Sequence, residues 1–291
     1  MKPGDRLSIN HYSVRQLALE QLVQECRQLG ISYVGLWREK VHEVGLERAK
    51  ALIDEAGLKI SSLCRAGFFP YDDGAQRQKS IEENRKVIDE AAALGSELVV
   101  LVCGGIAAAG LSASREMVEE GIAQLVPYAA ERGVRLGIEP LHPMFAADRS
   151  VIVTLAQANE LAAHFSAEVV GLVVDAYHVW WDPSLEKEIG RAAGRIFGFH
   201  VSDWIVPLPD MLNGRGLMGD GYIELSAISA MVKRAGYDGP IEVEIFNQAL
   251  WQLPGRTALD RIKERFMKVF SSSTRSAAHE DSPSLSPKIS L

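Results

Sequence analysis

Four apolar runs from near the middle of the chain onward each end in side chains able to hold a metal ion or carry a proton. LGIEPLHP supplies Glu139 and, three residues on, His142; VGLVVDAYHVWWD supplies Asp175 and His178; IFGFHVSDW supplies His200 and Asp203; PIEVEIFN supplies Glu242 and Glu244. Taken singly, a carboxylate at a strand end is commonly a helix N-cap or an ion-pair partner, and a lone histidine is commonly a satisfied core group. The repetition separates this pattern from chance, because successive strands deliver carboxylate, carboxylate, imidazole and carboxylate at the same end. Glu139, Asp175, His200 and Glu244 would form a mixed oxygen and nitrogen shell for one divalent ion, Mn2+ foremost, with Co2+, Mg2+ or Zn2+ also suited. Strand alternation puts Glu242 and Glu244 on one face. Glu244 lies nearer the C-terminal end of the strand; Glu242 lies deeper and is expected to serve a structural ion pair.

These residues need elements to position them. Apolar β-like runs occur at 7–9, 33–36, 59–63, 98–102, 135–139, 169–175, 196–201 and 241–246, with amphipathic segments between them. The helical stretches are 13–29, with Ser13 as the expected N-cap and Gly30 at the stop, then 76–94, 112–132, 150–165, 185–195, 223–235 and 257–270. Eight such units predict a single (β/α)8 TIM barrel over residues 1–270 as the catalytic domain. An open doubly wound sheet usually carries a glycine-rich first turn. Here Gly104-Gly105 follows the fourth run, and Gly219-Asp220-Gly221 lacks dinucleotide-fingerprint spacing. Residues 271–291, rich in Ser and Pro, are expected to be a disordered tail.

The bulk composition narrows the partners. The 291 residues carry a net charge of −7, which argues against nucleic acid. No stretch approaches the roughly 18 apolar residues of a membrane helix, and the first residues lack the apolar segment of a signal peptide. Cys26, Cys64 and Cys103 show no metal-like spacing and suit reduced thiols in a cytoplasmic protein. No Lys/Arg cluster stands out as a phosphate site, which favours unphosphorylated or modified sugars.

The motifs G-I-E-P at 137–140, D-x-x-H at 175–178, H-V-S-D at 200–203 and E-I-F at 244–246 resemble those of the xylose isomerase-like superfamily of sugar isomerases and epimerases. The resemblance is to its D-tagatose 3-epimerase-like and inosose isomerase members, and it covers about residues 5–270. The segment Arg215 to Gly221 resembles the family's R-x-x-P-G-x-G loop, with Met218 in place of the proline. The resemblance implies metal ligation by Glu139, Asp175, His200 and Glu244, and substrate contact by His178 and Arg215. Trp37, Arg65 and Phe68, near the ends of the second and third strands, could wall the pocket, or the two aromatics could simply pack under loops.

An α-hydroxy carbonyl substrate such as a ketose can chelate a divalent ion, which stabilises the enediolate formed when the C–H proton leaves. Glu139 and Glu244 are then the natural acid/base pair, as in the epimerases of this family. Return of the proton to the opposite face gives epimerisation, to the neighbouring carbon isomerisation; loss of a β-hydroxyl gives dehydration. His142 opens an alternative. EPLHP also resembles the large subunit of C-glycoside deglycosidases, carbon–carbon lyases of 3-keto glycosides, in which such a histidine acts as base beside a small second subunit. The bland reading of His142 is a loop residue bonded to backbone, and that of Trp180-Trp181 is packing. Endonuclease IV shares the superfamily but assembles three zinc ions, more than this chain's histidines and acids suggest. The expected partner is therefore a small sugar, with a homo-oligomer or a small second subunit possible.

Overall fold

The run Leu98–Val102 is apolar at every position because both of its faces are covered. Leu98 and Val100 join a buried cluster with Trp37, Cys64, Val173, Phe197 and Phe246. Val99 and Leu101 belong to the larger cluster shared with the helices. A strand buried on both sides is the mark of a parallel sheet wrapped by helices, with an inner core filling the barrel.

A computed structural model describes residues 3–271. Its strands are β1 (Leu7–Asn10), β2 (Tyr33–Trp37), β3 (Lys59–Gly67), β4 (Leu98–Val102), β5 (Arg135–Ile138), β6 (Val170–Asp175), β7 (Ile196–Val201) and β8 (Ile241–Val243). Each pairs in parallel with its neighbours, and β1 pairs with both β2 and β8, so the sheet closes. The chain folds as the TIM barrel that its alternating pattern predicts. The main helices are α1 (Leu19–Leu29), α2 (Arg38–Val44), α3 (Leu46–Ala56), α4 (Gly74–Leu94), α5 (Leu111–Glu131), α6 (Leu155–Ala163), α7 (Ala176–Val179), α8 (Leu185–Arg191), α9 (Leu225–Arg234), α10 (Gln248–Trp251) and α11 (Gly255–Ser271).

Several local readings change. Ser13 does not cap α1. Its Oγ donates to Val243 O (2.9 Å) and accepts from Ile245 N–H (2.8 Å), tying the loop after β1 to the end of β8. The helix over 150–165 begins only at Leu155, where Thr154 Oγ accepts from Gln157 N–H. Two helices, α2 and α3, fill 38–56, which the amphipathic reading left unassigned. Of the expected tail, Ser271 ends α11, and 272–291 lie outside the described residues. Among the described residues no helix is long and apolar enough to cross a membrane.

Candidate metal centre and cavity

The strand ends converge at the C-terminal mouth of the barrel. Glu139 follows β5 directly, and its N–H still donates to Leu101 O at 3.2 Å. Asp175 closes β6 and accepts from Tyr177 N–H, which starts α7. His200 stands beside it in β7, in register with Asp175. Glu244 follows β8, its N–H donating to Val201 O at 3.0 Å. All four are buried, none more than 5% exposed, and one ligand atom from each lies within 4.8 Å of the others.

Buried polar atoms normally find hydrogen-bond partners, yet Glu139 Oε1 and both ring nitrogens of His200 have none among the described residues. Glu139 Oε1 and His200 Nδ1 are 3.1 Å apart, but without hydrogen-bond geometry. The electrostatics point the same way. Burial pulls the His200 imidazole down, but Glu242, Glu139 and Glu244 outweigh it and lift its pKa to about 10. Burial drives Glu244 up to about 7, with Glu139 adding to the rise and Arg215 opposing it. The cluster draws positive charge, and three carboxylates with an imidazole are hard-to-borderline donors that fit a divalent ion.

One cation is built in. The buried Arg215 donates through Nη1 to Asp175 Oδ2 (3.0 Å), Glu244 Oε2 (3.0 Å) and Glu244 O (3.2 Å). Its guanidinium lies over the rings of Tyr177 and Phe246, at 4.6 and 4.7 Å. Burial tends to raise the Asp175 carboxyl, but Arg215 and the neighbouring imidazoles hold it below the ordinary range. Arg215 sits in a two-residue antiparallel ladder, Asp203–Trp204 against Arg215–Gly216. Asp203 orders that loop rather than the metal site. Its Oδ1 accepts from Trp204 and Ile223 N–H, and its Oδ2 from Gly219 and Gly221 N–H, all at 2.8–3.0 Å. A Cβ on Gly221 would fall 2.3 Å from Trp204 O, so the backbone approach needs glycine. Met218, at the position of the family's proline, is wholly buried.

Among the described residues the ion-pair partner of Glu242 is the His200 imidazole, not a Lys or Arg. Its carboxylate accepts from Asn10 Nδ2 (2.7 Å), Ser61 Oγ (2.6 Å) and Ser62 Oγ (2.9 Å) and lies 3.7 Å from His200 Nε2. At that distance it acts on the imidazole by charge, and it is the largest influence raising the His200 pKa. Gly35 makes room for it, since a Cβ there would meet Glu242 Oε1 at 2.0 Å. Asn10, which no sequence motif marks, also donates to Glu244 Oε1 (3.1 Å), and its Oδ1 accepts from Trp37 Nε1 (2.8 Å). A polar residue ending the first strand was the available signal.

A cavity of about 280 Å³ opens over the cluster, lined among others by Glu139, Glu244, His178, Arg215, Trp37 and Phe246. Trp37 packs with Tyr12 (ring centroids 4.2 Å apart) and Phe246 (5.7 Å), forming an apolar wall. Burial depresses His178 to about 3. Its Nδ1 accepts the His142 N–H, and its Nε2 lies 3.1 Å from Arg215 Nη2. His142 is not among the residues lining the cavity. Its Nδ1 accepts Met144 N–H, which leaves the ring proton on Nε2, and the ring packs between Trp181 and Trp204. That contact with backbone is what the bland reading expects. Trp180 and Trp181 also pack, against Trp204 and His142. The expectation of no cationic cluster changes as well: Arg15, Arg65 and Arg149, from three separate segments, line this same cavity.

Comparisons with known proteins place the chain. The model of the family described as xylose isomerase-like TIM barrel matches residues 23–266. A 3-dehydroshikimate dehydratase of Pseudomonas aeruginosa is 30% identical over 207 residues, 67% of this chain but 32% of that protein. The chain thus spans about a third of that dehydratase's length. An inosose isomerase of Halalkalibacterium halodurans is 24% identical, covering 86% of this chain and 90% of its own. A solved protein of Sinorhizobium meliloti 1021 superposes with a TM-score of 0.89 at 42% identity, covering 91% of this chain and 98% of that one. The IOLI protein, solved with a binding zinc atom, shares the fold at a TM-score of 0.81 and 21% identity, over 92% of this chain and 99% of its own.

Proposed function

The chain belongs to the xylose isomerase-like TIM barrel family, and from that premise we propose that it is a divalent-metal-dependent isomerase or epimerase of a ketose or related polyhydroxy carbonyl compound. One observation carries the reading. Of the four clustered side chains, Glu139 and Glu244 also line the cavity, so two carboxylates serve both the ion and the substrate. A divalent ion, when bound, polarises the substrate carbonyl and offsets the charge left as the C–H proton departs.

The protein's own groups do the rest. Glu139 and Glu244 come from β5 and β8, three places apart around the barrel, and reach the substrate from separate sides. One takes the proton at a carboxylate oxygen, and the other returns one to the opposite face or to the neighbouring carbon. Arg215 fixes the Glu244 carboxylate, and Asn10 holds its other oxygen. His178, kept neutral by burial, faces the substrate oxygens, and the Tyr12, Trp37 and Phe246 rings exclude water.

The same proton abstraction followed by loss of a β-hydroxyl gives dehydration. The likeness to the dehydratase favours that as the second reading. The lyase alternative, with His142 as base, has less support, since His142 is not among the residues lining the cavity and its Nδ1 accepts Met144 N–H.

The test is metal analysis of the purified protein with solvent-deuterium exchange into a panel of ketoses, followed by NMR. About one ion per chain and deuterium at a carbon beside the carbonyl are expected. Glu139→Gln and Glu244→Gln should keep the fold and lose exchange. Exchange at the native rate in either variant would refute the assigned pair, and water loss without exchange of recovered substrate would favour the dehydratase.

A further inference from the structure

We infer that the substrate carries an anionic group, a carboxylate or a phosphate, received by Arg65 and Arg149 in the cavity over the metal centre. This rests on the functional reading above, which it deepens. Both guanidinium groups line the cavity that Glu139 and Glu244 line. Neither is tied to a buried carboxylate among the described residues. Among the described residues Arg65 makes no ion pair, and Glu39 attracts it only from beyond that distance. The carboxylate nearest Arg149 is its exposed neighbour Asp148, at 3.9 Å.

Each cation is nevertheless held in place. The Arg65 guanidinium lies over the Phe68 ring at 4.7 Å and the Trp37 ring at 5.7 Å. Arg149 lies over Phe145 at 5.7 Å. The loop carrying Arg149 is docked on the glycine turn after β4. Gly104 N–H donates to Arg149 O (2.8 Å), Val151 N–H to Gly104 O (2.9 Å) and Ile106 N–H to Ala147 O (3.1 Å). A Cβ on Gly105 would sit 2.5 Å from Ala147 O, so Gly104-Gly105 sets the height of that loop.

Positioning two half-buried like charges in one cavity is unfavourable in the free protein, and the cavity's own carboxylates, Glu139 and Glu244, belong to the metal cluster rather than pairing with Arg65 or Arg149. Burial depresses the Arg65 pKa, and after burial the charge of Arg149 is the strongest influence lowering it. An oxyanion seated between them removes that repulsion and gains charge-assisted hydrogen bonds. Arg15 adds to the field from the rim, over Trp251 at 4.6 Å and Tyr12 at 5.1 Å. At about 280 Å³ the cavity falls just below the roughly 300–1,000 Å³ of pockets for larger ligands, which suits one acidic monosaccharide-sized molecule.

The test measures calorimetric binding of a matched set to the metal-loaded full chain: D-fructose, its 6-phosphate and its 6-carboxylate. At least one acid should bind about 10-fold or more tightly than the neutral ketose, and which acid does so separates phosphate from carboxylate. In R65Q/R149Q the preference should fall to within about threefold of none. R65K/R149K, which keeps the charges, should retain part of it and controls for folding. Equal binding of all three compounds, or a preference that survives in R65Q/R149Q, overturns the inference. Preferred acid binding with no deuterium exchange in any compound would support the anion site while sinking the isomerase reading. Exchange in the neutral ketose with no acid preference would do the reverse.

Discussion

Replacing Arg215 by methionine tests the electrostatic account of the centre most directly. The substitution keeps a long apolar stem among Tyr177 and Phe246 and deletes the guanidinium that reaches both Asp175 and Glu244. Asp175 is fully buried and Glu244, in the cavity wall, is 5% exposed, so water replaces the lost partner only in part. Removing one member of a buried pair costs about 3–5 kcal/mol, and here a single cation serves two carboxylates. In urea unfolding of chelator-treated protein, R215M should therefore lose about 3–5 kcal/mol. Arg256 is a matched control. It also meets two carboxylates, Glu25 and Asp260, at 3.0 and 3.2 Å, but in solvent, and R256M should leave the midpoint where it was. A saturating divalent ion restores positive charge to the same carboxylates and stabilises whichever state binds it. Loading should thus raise R215M more than the native chain and narrow the gap. If R215M unfolds like R256M, or if the metal raises both chains equally, the guanidinium is not the counter-charge argued here.

Two further outcomes follow from other parts of the molecule. Asp203→Asn replaces one of two oxygens that each collect two backbone N–H groups. Hydrogen exchange at either Trp204 and Ile223 or Gly219 and Gly221 should then accelerate, each lost charged bond costing about 1.5–3 kcal/mol locally; unchanged protection would count against the clamp. His11 is buried, its Nε2 3.0 Å from Leu17 O, and burial pushes its pKa down to about 4 from 6.5. The unfolded chain takes up the proton first, so this contribution is full above pH 6.5 and is lost as pH falls toward about 4. His11→Gln should flatten the stability profile over that window, and an equally steep acid limb would refute the assignment.

The barrel was legible in the sequence because every strand is covered on both faces, so apolar runs such as Leu98–Val102 stand out whatever their neighbours do. The clustered residues were legible for a related reason. Glu139, Asp175, His200 and Glu244 each lie at or near the end of such a run, and barrel closure alone brings strand ends together. Arg15, Arg65 and Arg149 were not legible as a group, since they sit after β1, within β3 and in the loop after β5. Only the folded loops make them neighbours. Asn10 and Glu242 fell between categories, being polar groups that act on other side chains rather than on a ligand. Ser13 misled because a hydroxyl before an amphipathic stretch can cap a helix or bridge two strand ends. The sequence pattern is the same in both cases.

The Asp203 clamp separates two jobs that loops usually combine. The ladder fixes residues 203–204 against 215–216, and the carboxylate then gathers the returning chain as far as Ile223. The tip between them, 205–214, contributes Leu212 and Asn213 to the cavity while Arg215 is anchored at its root. Such a tip is an exchangeable cassette. Its length and side chains can be rewritten to admit a different molecule without disturbing the guanidinium at its base, which makes this excursion the natural place for related barrels to diversify and for an engineer to begin.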